Sequence, residues 1–199
     1  MKKIAAFIVG GIFAFSALTA NAGVIVEAKA NSSSGGSGGS TGIFLTAGDL
    51  FTASTDVNDL WNAGPLPRWS NADGLDGDLF ATGSDESGQA AGTLIGKDFG
   101  IYTQHGLSAA YGTLVGSIAG NFFEIGTNYS GSAVGTGELL LWYWDSNNGD
   151  NSESITVKFE GVTAVPEPGS LALLGLGLAG LGLARRKQKA RAGIFAQAT

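Results

Sequence analysis

Residues 138–159 read ELLLWYWDSNNGDNSESITVKF. Two strand-like runs flank a short loop. Glu138 to Trp144 is apolar and aromatic, and Ser154 to Phe159 alternates apolar and polar residues. Both patterns fit pleated, half-buried strands. Between them, Asp145, Asn147, Asn148, Asp150 and Asn151 place five oxygen-bearing side chains within seven positions, around Gly149. Asn- and Asp-rich loops make tight hydrated turns. They also supply carboxylate and amide oxygens, which calcium requires in a set of roughly six to eight. An EF-hand is excluded: its loop needs glycine sixth and glutamate twelfth, whereas counting from Asp145 the glycine is fifth and Thr156 is twelfth.

The same grammar recurs between residues 23 and 164. Val24–Lys29, Gly42–Thr46, Leu50–Ala53, Thr113–Ile118 and Phe122–Ile125 are short β-branched or aromatic runs, separated by glycine, asparagine and serine. No stretch there sustains a helical period. Many short strands in a length suited to one domain predict an all-β fold, a small sandwich or jelly roll. Residues 31–42, NSSSGGSGGSTG, are of low complexity and read as a flexible loop joining two strands.

This span holds sixteen acidic residues against four basic ones (Lys29, Arg68, Lys97, Lys158), a net charge of −12. Such a surface disfavours nucleic acid, whose binding depends on Lys and Arg neutralising phosphates, and suits cations. No GxSxG, HExxH or phosphate-binding loop is present, there is no cysteine, and His105 is the single histidine. Nucleophilic or metal-hydrolase chemistry therefore has no motif here, and the expectation is a protein that is not an enzyme.

The two ends are of another kind. Lys2 and Lys3, an apolar run from Ile4 to Leu18, and Ala20-Asn21-Ala22 form a secretory signal peptide over 1–22. Val165-Pro166-Glu167-Pro168, the apolar stretch Leu171–Ala184, and Arg185, Arg186 and Lys187 follow the domain. The stretch is short against the ~20 residues that span a bilayer. In this order the three parts resemble the PEP-CTERM sorting signal of Gram-negative bacteria, over about 165–187, leaving a basic tail over 188–199. That resemblance implies an exosortase partner that recognises Pro166, Glu167 and Pro168. It also implies a helix transiently in the inner membrane, ahead of Arg185 and Arg186, and delivery to the cell surface or extracellular matrix.

Four blocks of the domain, GDLFTA (48–53), LWNAGPLPRWSNADGL (60–75), YGTLVGSI (111–118) and residues 138–159, come in the order seen in the PA-IL-like, calcium-dependent galactose-binding lectins. The resemblance spans roughly 24–160. It implies a β-sandwich of jelly-roll, galactose-binding-domain-like type, with one calcium ion that takes vicinal sugar hydroxyls directly. Matched residue by residue, it implies metal ligation by Asp145, Asp150 and Asn151 and by the carbonyls of Ser146 and Ala63. Asn148 or Gly149 would give the mid-loop carbonyl. The family's residues around the sugar's 6-hydroxyl find no match, since 71–105 is longer and different. Gln104 and His105 are the sugar-binding candidates there. Among the four tryptophans, Trp69 is the candidate stacking platform, because it sits beside Ala63, whereas Trp142 and Trp144 share one strand face. The family also implies a homo-oligomer. The competing expectation is a structural biofilm or exopolysaccharide-matrix protein whose calcium only stabilises the fold.

Overall fold

A computed structural model describes residues 23–161. The signal peptide 1–22, the sorting segment 165–187 and the tail 188–199 lie outside the described residues. Two antiparallel four-stranded sheets form the body. One has the order β1 (Val24–Glu27), β14 (Ser154–Glu160), β3 (Leu50–Ser54), β12 (Asn128–Ser132). The other has the order β11 (Asn121–Glu124), β10 (Leu114–Ile118), β13 (Gly137–Tyr143), β2 (Gly39–Leu45). Among the described residues there is no helix, and the architecture is the all-β, sandwich-like one expected.

The period-two pattern decides which side chains meet. On β13, Leu139, Leu141 and Tyr143 are fully buried, as are Ile155 and Val157 on β14. They share one core with Val26, Phe51, Leu114, Ile118 and Trp61. Trp61 meets Tyr143 edge to face, with centroids 4.4 Å apart, and its indole N–H donates to the Asn71 carbonyl at 3.1 Å. A buried tryptophan needs such a partner for its one polar atom.

Trp142 and Trp144 point to the other face of the same sheet, as strand parity requires. There Trp144 packs with Val115 and Ala109, while Trp142, Phe122, Tyr102 and Leu107 close around them. This second cluster is covered by a hairpin the sequence reading did not resolve, β8 (Ile101–Gln104) and β9 (Leu107–Ala110). Its two turn residues, His105 and Gly106, both take positive φ, at 50° and 82°. That is the backbone a two-residue hairpin turn demands. Two more pairs were likewise missed: β4 (Trp61–Asn62) with β5 (Trp69–Ser70), and β6 (Leu79–Phe80) with β7 (Leu94–Gly96).

The serine–glycine stretch departs from expectation. It is not a loose loop. Its end forms β2, paired with β13, and Ser32 and Ser33 are buried. Ser32 bridges Tyr143 in parallel sense, with the Ser33 N–H donating to the Tyr143 carbonyl at 2.9 Å. Small side chains allow this: a Cβ on Gly36 would stand 2.6 Å from the Ala30 and Ser32 carbonyl oxygens. The low complexity reflects close backbone packing here.

Candidate functional site

The loop between β13 and β14 starts where the core ends. Asp145 follows Trp144, and both are buried, Asp145 at 5% exposure. Its backbone is held from one side by Ser33. The Ser33 hydroxyl donates to the Asp145 carbonyl at 3.0 Å and accepts from the Asp145 N–H at 3.1 Å. The carboxylate is therefore fixed while its backbone polar groups stay paired, as buried groups require.

Two pairings bring the other candidates to it. The backbones of Asn62 and Ser152 exchange hydrogen bonds, each 3.0 Å, which lays Ala63 alongside Asn151. Gly64 lies so near Asp150 that a Cβ there would be 2.7 Å from Asp150 Oδ2. Asn151, 4% exposed, donates its amide N–H to the Ala28 carbonyl at 3.2 Å. Its Oδ1 is buried without a hydrogen-bond partner. Ala63 donates its N–H to the Arg68 carbonyl at 2.9 Å, and its own carbonyl receives no hydrogen bond from the described residues. Asp145, Asp150, Asn151 and Ala63, drawn from two separate segments, thus come together.

Electrostatics are consistent with that convergence. Burial, first of all, pushes the Asp145 carboxyl above its ordinary range; hydrogen bonds from Ser146, Asn151 and Asn147 oppose this, and the charge of Asp150 adds to it. Tyr143 Oη, buried beneath, has no partner either. Its hydroxyl is pushed well above its usual range by burial, then by the charges of Asp145 and Asp150. Two carboxylates sharing a partly dry place are a standing repulsion. The counter-charges nearby are few. Arg68 reaches Asp150 Oδ2 at 3.6 Å, and Lys29 donates to the Gly149 carbonyl at 3.5 Å.

The remaining loop residues are more open. The Ser146 N–H donates to Asp145 Oδ1 at 2.7 Å. Asn147 bonds Asp150 Oδ1 through its amide at 2.8 Å. Asn148 is half-buried against Gly35 of the serine loop. Among the described residues no three His, Asp or Glu side chains converge, so any ion here would rest on two carboxylates plus amide and carbonyl oxygens.

Of the sugar candidates, Gln104 donates its amide to the Ser33 carbonyl at 3.1 Å, while its Oε1 is buried and unpartnered. His105 is exposed at the hairpin turn and stacks on Phe122, centroids 4.6 Å apart. Trp69 is half-buried in β5 and packs against a small cluster of Leu60, Ala81 and Ile95. The structure places Gln104 behind the loop through Ser33, and Trp69 next to Arg68. Asp73, another acid of the divergent segment, is occupied by Thr127, whose N–H and hydroxyl donate to it at 2.7 and 3.0 Å.

Ser33 was missed at the sequence level, and nothing in a run of serines and glycines singles it out. Arg68 had a visible signal, as one of four cations in an acidic domain, but its pairing with Asp150 depends on the turn at Gly64.

The molecule is thus a β-sandwich domain followed by a sorting segment. Residues 164–187 match the family model described as the PEP-CTERM protein-sorting motif, so the chain carries a signal for export and sorting to the cell surface. No curated protein matches the chain. Among solved structures, one similar chain is described as the EclA N-terminal domain, a PllA-like lectin. It has a TM-score of 0.44 and 17% identity, covering 69% of this chain and 93% of that one.

Proposed function

We propose that this chain is an exported carbohydrate-binding protein without catalytic activity, which holds a galactose-type sugar through a calcium ion on the 145–151 loop. The observation that carries the reading is the Asn151 amide: a buried, partnerless Oδ1 beside two carboxylates. A buried acceptor left unpaired costs about 1–3 kcal/mol, and a hard cation is the partner this donor set suits. Asp145, Asp150 and Asn151 would ligate through side chains, and Ser146 and Ala63 through carbonyls. Asn148 is the better mid-loop carbonyl, since that of Gly149 already faces the Lys29 ammonium. When bound, the ion supplies open coordination positions for two sugar hydroxyls. The protein's part is to hold Asp145 rigid through Ser33 and to keep Asp145 and Asn151 buried.

The same geometry also favours a second reading. Asn151 ties the loop to the end of β1 through Ala28, and Ser33 ties it to the serine loop. An ion there would brace the fold with no sugar bound, as in a matrix protein. Calorimetry of the full-length chain in mild detergent, with calcium and then galactose, separates the two. Calcium binding lost in Asp145→Ala, and galactose heat only with calcium, supports the lectin. Calcium binding without a response to galactose supports the brace. No calcium binding removes both.

A further inference from the structure

A cleft of about 290 Å³ opens beside the loop, lined in part by Leu66, Pro67, Arg68, Lys97 and Phe99. It is small, near the lower end of ligand-site sizes. Its position follows from the backbone: Arg68 bridges Gly96 in antiparallel sense, so Lys97 at the end of β7 comes to lie against the 65–68 turn. Two of the four basic residues in 23–164 therefore line one cleft in a domain of net charge −12.

The chemistry of the walls is uneven. The Arg68 guanidinium lies over the Phe99 ring, 4.3 Å from its centroid, so its plane is pre-set. Among the described residues its single ion pair is the 3.6 Å contact with Asp150. Lys97 is exposed and makes no salt bridge among the described residues. The one acid in the wall, Asp98, is turned into its own bend, where it accepts from the Gly100 N–H at 2.8 Å. Phe99, Leu66 and the prolines provide apolar faces. A planar guanidinium, a mobile ammonium and a ring face beside a sugar site match a saccharide that carries a carboxylate.

We infer that this cleft selects an acidic sugar of the uronate class, with the carboxylate on Arg68 and Lys97 and the sugar ring against Phe99 and Leu66. The inference rests on the calcium-lectin reading: an ion that draws Asp150 toward it releases Arg68 for the ligand. In a domain this acidic, an anionic ligand would otherwise be repelled.

The test uses galacturonate and its methyl ester, which differ by the charge and one methyl group, titrated into the full-length chain at fixed free calcium. Galacturonate is expected to bind roughly tenfold tighter, the scale of one charge-assisted contact, with the preference shrinking at high salt. Lys97→Gln and Arg68→Gln should each bring acid and ester to near parity, while Lys97→Arg keeps the preference. Lys97 is exposed, so its variants test binding without loss of fold. Equal binding of acid and ester in the wild type overturns this inference and leaves the lectin reading standing. A preference that survives both glutamine variants also overturns it. Binding of neither probe overturns this inference, and the response to galactose at the same free calcium then decides the lectin reading separately.

Discussion

Ser33→Ala isolates one hydroxyl that carries the whole backbone pairing of Asp145. Ser33 Oγ is the hydrogen-bond partner of both the Asp145 N–H and its carbonyl, and all these atoms belong to buried residues. Alanine keeps the small size and removes the partner. Each buried group left unpaired costs about 1–3 kcal/mol; water entering from the exposed Ser146 side would reduce the sum, to about 2–4 kcal/mol. For a domain of this size, 1 kcal/mol shifts Tm by roughly 3–4 °C, so a fall of roughly 6–16 °C is expected, read from tryptophan fluorescence of the full-length chain. Ser34→Ala is the control, because its hydroxyl meets only that of Ser32, at 3.1 Å; it should cost under about 1 kcal/mol. If the loop holds calcium as proposed, its affinity should fall as well, by roughly 10–100-fold, as for outer supports of metal ligands. A Ser33→Ala protein melting within about 2 °C of wild type would refute the argument that this serine holds the loop.

Two further outcomes follow from other parts of the fold. Gly96→Ala puts a Cβ into the Trp69 carbonyl oxygen and 3.0 Å from Leu79 Cβ; chemical denaturation should show a loss of about 1–3 kcal/mol from overpacking, and the acid-over-ester preference proposed for the cleft should weaken with it. Asp85 has its pKa lowered to about 2, chiefly by the Ser87 hydroxyl and then by the Thr82 N–H. A lowered carboxyl stabilises the fold above its ordinary value of 3.8 and loses that contribution as pH falls toward about 2. Asp85→Asn should therefore melt below wild type at pH 6, with the gap closing between pH ~4 and ~2. Asp85 is only half-buried, so the gap is small; a gap that is constant across this range contradicts the assignment.

The all-β class and the strands with sustained alternation were legible, because β3, β13 and β14 each bury one face against a common core. The strand pairs β4–β5, β6–β7 and β8–β9 were not. They are two to four residues long, too short for a period to show, and are specified by turns such as His105-Gly106. In the site, Asp145, Asp150 and Asn151 were visible as a cluster of oxygens. Ala63 came from resemblance, and the structure brings it alongside through the Asn62–Ser152 pairing. Ser33 was illegible for a physical reason. Composition signals flexibility where side chains are small, yet small side chains are also what let a backbone lie flat against β13.

The run of β14 has a consequence for how the protein can be handled. Its first residue, Ser154, stands three residues after Asn151, and its last, Glu160, stands four residues before the sorting motif begins at 164. Seven extended residues reach on the order of 20 Å. The strand is therefore a rigid spacer: machinery that grips the tail meets one pole of the domain, and the loop opens at the other. The molecule can be held by its tail and still present the 145–151 loop to whatever lies outside.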